Sequence, residues 1–97
     1  MRLRYTAEAL VHLEAIYDFI FERNPAAARR IAADIRAAAH RLVDFPEMGR
    51  KGEASGSREW VVRASPYLIV YEFDSQNAEI LVIGVFHGAQ DRRDKPD

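Results

Sequence analysis

The segment from Arg58 to Phe73, Arg-Glu-Trp-Val-Val-Arg-Ala-Ser-Pro-Tyr-Leu-Ile-Val-Tyr-Glu-Phe, constrains the fold more than any other part of the chain. It is dense in β-branched and aromatic residues, the types that fit a pleated, half-buried surface. Pro66 has no amide proton to give to a ladder, so it cannot lie inside a central strand. The segment therefore reads as two antiparallel strands, residues 58–64 and 67–73, joined by a tight turn at Ala64-Ser65-Pro66. Alternation puts Arg58, Trp60 and Val62 on one face of the first strand, with Glu59, Val61 and Arg63 on the other. On the second strand Tyr67, Ile69, Tyr71 and Phe73 share a face. The hairpin thus combines core residues with positive charge and phenolic hydroxyls.

Residues 1–5 also alternate, with Met1, Leu3 and Tyr5 on one face, and read as a short strand. Thr6 is placed to cap a helix, and Glu8 suits the positive end of its dipole. Leu10, Leu13, Ile16, Tyr17 and Ile20 then recur at helical spacing, which predicts a first helix over 7–22. Asn24 followed by Pro25 is a matched start signal for a second helix. That helix carries Ile31, Ile35, Ala38 and Leu42 on one stripe and should end at Val43 or Asp44. The short connection makes the pair an antiparallel hairpin.

Residues 45–57 hold Gly49, Gly52 and Gly56, follow no period, and read as one long loop. Residues 79–87 form a nearly continuous apolar run, expected to be the central and most buried strand, and Gly88 ends it. Residues 90–97 are charged and expected to fray. The order is β-α-α-β-β-β, an α+β fold in which a helical hairpin packs on a small, mainly antiparallel sheet.

With 97 residues the chain reads as a single domain, and 48 % hydrophobic with 30 % charged residues is the balance of an ordinary globular protein. No apolar run is long enough for a membrane span, and the first residues lead into an amphipathic pattern rather than a signal peptide. A cytoplasmic location is the expectation. The absence of cysteine excludes disulfides and thiol chemistry. Residues 1–49 carry 7 basic and 7 acidic side chains, and residues 50–97 carry 7 and 8. Neither half attracts phosphate, so autonomous nucleic-acid binding is not expected.

Chemistry on this chain has few candidates. RNA cleavage through the 2′-hydroxyl needs a base, a cation for the phosphorane and an acid for the leaving oxygen. Arg58 or Arg63 could supply the cation and His87 the acid or base, if the fold brought them to one end of the sheet. The plain alternative is that His87 closes a strand while the arginines pair with Glu59 or Glu72. Tyr67 and Tyr71 share a face with Ile69, which favours packing over catalysis. Trp60 either caps the core or anchors a partner, tryptophan being enriched in interface hot spots. His12 and His40 lie on the helices and read as solvated. No spacing of His, Asp and Glu resembles a metal site, and the glycines lack the lysine-serine pattern of a phosphate loop.

Several stretches, taken together, resemble a known family. They are Leu42-Val43-Asp44-Phe45-Pro46-Glu47-Met48-Gly49-Arg50, the pair Arg58-Glu59, Ser65-Pro66-Tyr67-Leu68-Ile69-Val70-Tyr71, and Val85-Phe86-His87-Gly88-Ala89-Gln90-Asp91-Arg92. Their order over residues 2–93 is similar to that of the RelE/ParE toxin superfamily. The resemblance implies the toxin half of a bacterial type II toxin–antitoxin pair. RelE-like members cut messenger RNA in the ribosomal A site, whereas ParE-like members act on DNA gyrase. The ending His87-Gly88-Ala89-Gln90-Asp91-Arg92 looks ParE-like. The chain has no tyrosine after Tyr71, and its only lysines are Lys51 and Lys95, a departure from the RelE pattern.

The resemblance therefore implies a gyrase inhibitor held silent by a ParD-like antitoxin in a hetero-oligomer, with no catalytic residue, cofactor or metal. The target-binding candidates are Arg58, Trp60, Arg63, His87, Asp91, Arg92 and Arg93. The antitoxin-binding candidates are Leu13, Tyr17, Ile20 and Phe21, which exceed what one narrow core stripe needs. The alternatives are a ribosome-dependent endonuclease built on Arg58, Arg63 and His87, or an inactive toxin fold that only binds its antitoxin.

Overall fold

A computed structural model describes residues 1–88 of the chain. In order the elements are β1 (Arg2–Tyr5), α1 (Ala7–Phe21), α2 (Pro25–Asp44), β2 (Arg50–Lys51), β3 (Ser57–Val61), β4 (Tyr67–Asp74) and β5 (Glu79–His87). Among the described residues the strands form one sheet in the order β1-β5-β4-β3-β2. The outer β1 runs parallel to β5, and the other neighbours are antiparallel. The expected α+β arrangement, a helical hairpin on a mainly antiparallel sheet, is the one present.

The helix starts follow local chemistry. The Thr6 hydroxyl accepts the Ala9 N–H at 3.1 Å, and Asn24 Oδ1 accepts the Ala27 N–H at 3.1 Å. Pro46 disfavours helical geometry at Phe45, where α2 ends. Alanines along α2 let it approach the sheet closely: Ala38 and Ala39 are buried beside Ile35 and Leu42. These residues pack with Ala9 of α1 against Val62, Ile69, Tyr71, Ile80 and Val82. The core therefore sits between the helical hairpin and one face of the sheet.

Four expectations are corrected. The long loop contains a two-residue strand, β2, paired as Arg50↔Glu59 and Lys51↔Arg58. The first hairpin strand stops at Val61 rather than residue 64, because Ala64 turns into the left-handed region at φ 59° and Val62 N–H closes the turn onto the Tyr67 carbonyl. Helix α1 ends at Phe21, one residue early. The central strand is β4, five of whose first residues are buried in a row, and β5 lies second from the edge. The expected tail at 90–97 lies outside the described residues. No helix among those described is long and apolar enough to cross a membrane.

Strand β5 changes neighbours halfway along. The ladder with β1 ends at Tyr5↔Val82, and the β4–β5 register slips there, pairing Tyr71 with Val82 but Val70 with Gly84. Beyond the slip, side chains replace the missing strand. The Thr6 hydroxyl reaches the Ile83 carbonyl at 3.4 Å, and the Val85 N–H donates to His12 Nδ1 at 3.2 Å.

Glu79 ties β1 to the start of β5. Its Oε2 accepts from Arg2 at 2.9 Å and from Arg4 at 3.3 Å. The Arg2 hydrogen bond, with Arg4 beside it, holds the carboxyl below its ordinary value of 4.5 although burial opposes this. The unfolded chain thus takes up this proton at higher pH than the folded one. The contribution to stability is complete above the ordinary value and is lost as pH falls through the lower folded value. Urea unfolding should show wild type losing its advantage over Glu79→Gln as pH is lowered from about 5 to about 3. Parallel losses in the two proteins would mean that the Arg2–Glu79–Arg4 contact contributes nothing.

Candidate functional site

Tyr71 lies opposite Arg58 in the β3–β4 ladder and belongs to the core cluster under the helices. Its residue is fully buried, so its hydroxyl must find protein partners. It accepts the Gly49 N–H at 2.9 Å and donates to the Pro46 carbonyl at 2.8 Å. Arg58 adds a second clasp: Nη1 donates to the Gly49 carbonyl at 2.7 Å and to the Glu47 carbonyl at 3.4 Å. Two hairpin side chains thereby hold the backbone of the connection leaving α2.

Gly49 is where the fit is tightest. A Cβ there would lie 2.7 Å from the Tyr71 hydroxyl and 2.8 Å from the Glu59 carbonyl. Next to it Arg50 pairs at 3.2 Å with Glu59, whose side chain is only 6 % exposed. Burial pushes the Tyr71 phenol up, opposed by the Gly49 hydrogen bond and the Arg58 charge. The hydroxyl therefore keeps the proton it donates to Pro46. Sequence reading assigned Tyr71 to packing, which is where its ring lies, but missed the work of its hydroxyl. The one available signal was Gly49, a residue without a side chain in a stretch soon to pair with the hairpin.

The other end of the hairpin has a different chemistry. Tyr67 and His87 are paired across β4 and β5, with their rings edge to face at 5.5 Å. Arg63 is exposed in the adjoining turn, where Ser65 Oγ accepts the Tyr67 N–H and the Pro66 carbonyl accepts the Gly88 N–H. Arg63 and His87 are thus brought to one end of the sheet. Arg58 is not: it sits opposite Tyr71, four residues along β4 from the partner of His87, about 13 Å at roughly 3.3 Å per residue. Trp60 lies between, opposite Ile69, half-buried against the core. Asp91, Arg92 and Arg93 lie outside the described residues.

His12 departs from the solvated role expected of it. It is half-buried, accepts the Val85 N–H and tilts against the Phe86 ring at 4.9 Å. His40 is exposed. Among the described residues no group of three or more His, Cys, Asp or Glu side chains is arranged to hold a metal ion.

The α1 candidates divide between core and surface. Leu13 and Ile20 pack partly into the core, whereas Phe21 is exposed and stacks on Tyr17 at 5.6 Å. Leu10, Val11 and Phe19 are each more than half exposed on the same helix. So much apolar surface on one short helix is what a protein-binding face presents.

The Tyr71 clasp yields a direct expectation. Tyr71→Phe leaves the Gly49 N–H and the Pro46 carbonyl without their partner and should cost about 1–3 kcal/mol in urea unfolding. Amide exchange at Gly49 should accelerate more than exchange at Ile69, which lies in the same strand as Tyr71. Equal acceleration at both would mean that the hydroxyl does not hold the connection in particular.

Comparison with known proteins identifies the family. The family profile described as the ParE toxin of type II toxin–antitoxin system, parDE, matches residues 3–92. The chain is 38 % identical to the protein named "Putative toxin Y4kP" of Sinorhizobium fredii, over 82 residues that cover 84 % of each protein. It is 43 % identical to toxin RelE2 of Caulobacter vibrioides over 67 residues, 69 % of this chain and 74 % of that one. Among solved structures, a chain of the chromosomal ParDE system from P. aeruginosa superposes with a TM-score of 0.79 at 26 % identity, covering 90 % of this chain and 95 % of that one. The intact E. coli RelBE toxin–antitoxin complex shares the fold alone, with a TM-score of 0.64 at 14 % identity over 91 % of this chain and 96 % of that one. The chain belongs to the ParE toxin family of type II toxin–antitoxin systems, within the RelE/ParE superfamily.

Proposed function

We propose that this toxin inhibits DNA gyrase by binding it, without cutting a bond itself, and that a ParD-like antitoxin silences it by docking on α1. The observation that carries the reading is the placement of Arg58. Its guanidinium is engaged with two loop carbonyls, far along the hairpin from His87. Of the two candidate cations, Arg58 is therefore not gathered with His87 around one phosphate. Arg63, His87 and the outer edge of Trp60 are then contact residues for the target, together with Asp91, Arg92 and Arg93 of the C-terminal stretch. Leu13, Tyr17, Ile20 and Phe21 serve the antitoxin. The reading places the protein in the bacterial cytoplasm, where gyrase works.

A second reading, a ribosome-dependent messenger-RNA endonuclease, draws on Arg63 and His87 flanking one turn beside Tyr67. The RelE name of the Caulobacter relative agrees with it.

A gyrase reaction with supercoiled plasmid and ATP separates the two. Purified toxin should make linear DNA accumulate after detergent and protease, and premixed antitoxin should suppress it. Removing a general acid or base costs about 10²–10⁴-fold in rate, so His87→Ala would abolish RNA cleavage. Loss of one contact residue outside a hot spot should weaken gyrase poisoning by about tenfold or less. No linear DNA at clear toxin excess would overturn the gyrase reading, and in-frame messenger cleavage in a translating extract would then support the second.

A further inference from the structure

We infer that Ala64 is a positioning residue, whose left-handed backbone aims Arg63 in one direction at a cost in stability. The inference rests on the reading above in one respect, that Arg63 meets the target. In the turn between β3 and β4, Ala64 stands at φ 59°. That region crowds a Cβ, whereas a glycine occupies it freely. The chain does place a glycine in this way at Gly56, where φ is 81°.

The rest of the turn is pinned. Val62 and Tyr67, buried at its two ends, are joined by the Val62 N–H on the Tyr67 carbonyl at 2.9 Å. The ring of Pro66 fixes its own φ and restricts Ser65 before it. Ser65 Oγ accepts the Tyr67 N–H at 2.9 Å, and the Pro66 carbonyl accepts the Gly88 N–H. Between Arg63 and Pro66, Ala64 is thus the residue whose freedom depends on a single methyl group. With that methyl the backbone is confined to the small left-handed well, and without it the mirror regions open. The alanine gives up stability for a turn of one shape.

Arg63 is the residue that this shape serves. Its side chain is exposed, and among the described residues no hydrogen bond or ion pair fixes its guanidinium. The backbone alone therefore decides where the side chain starts, at the end of the sheet that also carries His87. Ordering a loop on binding lowers affinity, and a turn already in one shape avoids that loss. Ala78 provides the contrast. It has φ 50° in the turn before β5, at the opposite end of the sheet, and its carbonyl accepts the Arg2 N–H at 2.8 Å. Strain of the same kind serves the attachment of β1 there.

The test uses Ala64→Gly, Ala64→Asn and Ala78→Gly in the full chain, each with and without Arg63→Ala. Both glycine variants should raise the folding equilibrium constant about fivefold in urea unfolding. Only Ala64→Gly should loosen Arg63, whose amide order parameter should fall from about 0.85 towards about 0.6. In the gyrase reaction Ala64→Gly should need about fivefold more toxin for the same linear DNA, although it is the more stable protein. Arg63→Ala should add little to that loss, the two changes acting on one contact. Asparagine keeps a Cβ and takes the left-handed region more readily than alanine, so Ala64→Asn should poison like wild type. Ala78→Gly should leave poisoning unchanged.

A rigid Arg63 amide in Ala64→Gly, no gain in its stability, undiminished poisoning by it, or an equal loss in Ala78→Gly would each overturn the inference. A wild type that makes no linear DNA would overturn the gyrase reading instead. The variants are then ranked by messenger cleavage in the translating extract, where the same order is required, and the amide and stability results hold whatever the target.

Discussion

A phenol buried beneath two helices has to place its hydroxyl somewhere, and in this protein much of the sheet edge depends on where Tyr71 places it. The ring is core, alongside Ile69 and Leu42. The hydroxyl is the polar end that burial would penalise unless it were paired. Its partners lie in a connection that has no ladder of its own, so one group resolves two deficits. Once Pro46 and Gly49 are fixed, Arg50 and Lys51 fall into register with Glu59 and Arg58, and a two-residue strand extends the sheet. The clasp also commits Arg58. A guanidinium that donates to Gly49 and Glu47 carbonyls stabilises the fold and is removed from the chemistry its position in a hairpin suggests.

What remains outward-facing is distributed over two separate regions. The turn end of the hairpin offers an exposed arginine beside an imidazole that rests against the buried Tyr67 ring. The outer side of the helical hairpin offers aromatic rings. A toxin that must meet both an antitoxin and a target has a use for two surfaces, and the fold keeps them on different layers: sheet end and helix pair.

Much of this could be read from the sequence where the cause is local. Thr6 and Asn24 set helix starts through bonds spanning three residues, Pro25 supports the second start with its fixed φ, and the alternation of Tyr67, Ile69 and Tyr71 reports a buried face directly. The failures lie where distant residues decide. Strand β2 exists because of side chains 9 and 22 positions away, which no window over residues 45–57 contains. The apolar run of β5 points to the centre of the sheet, but apolarity reports cover on the two faces and says nothing of order among neighbours. His12 reads as solvated because its role depends on β1 ending early and on an amide, that of Val85, 73 residues further along the chain. Alternation separates Arg58 and Arg63 by face but keeps both on one predicted strand. A left-handed alanine after them moves one into a turn and leaves the other beneath a loop.

The parallel pairing of β1 with β5 has a consequence in time. Arg2 and its ladder partner Glu79 are separated by 77 residues, so the first strand to leave the ribosome has no neighbour until almost the last. Closing so long a loop gives up chain entropy before any contact rewards it, and contacts of this range slow folding. Helices α1 and α2 can form as they emerge, but the layer they cover is incomplete until residues 79–82 are free of the exit tunnel. A nascent chain is therefore left with an unfinished sheet for most of its synthesis. The finished toxin fold therefore waits on its last strand.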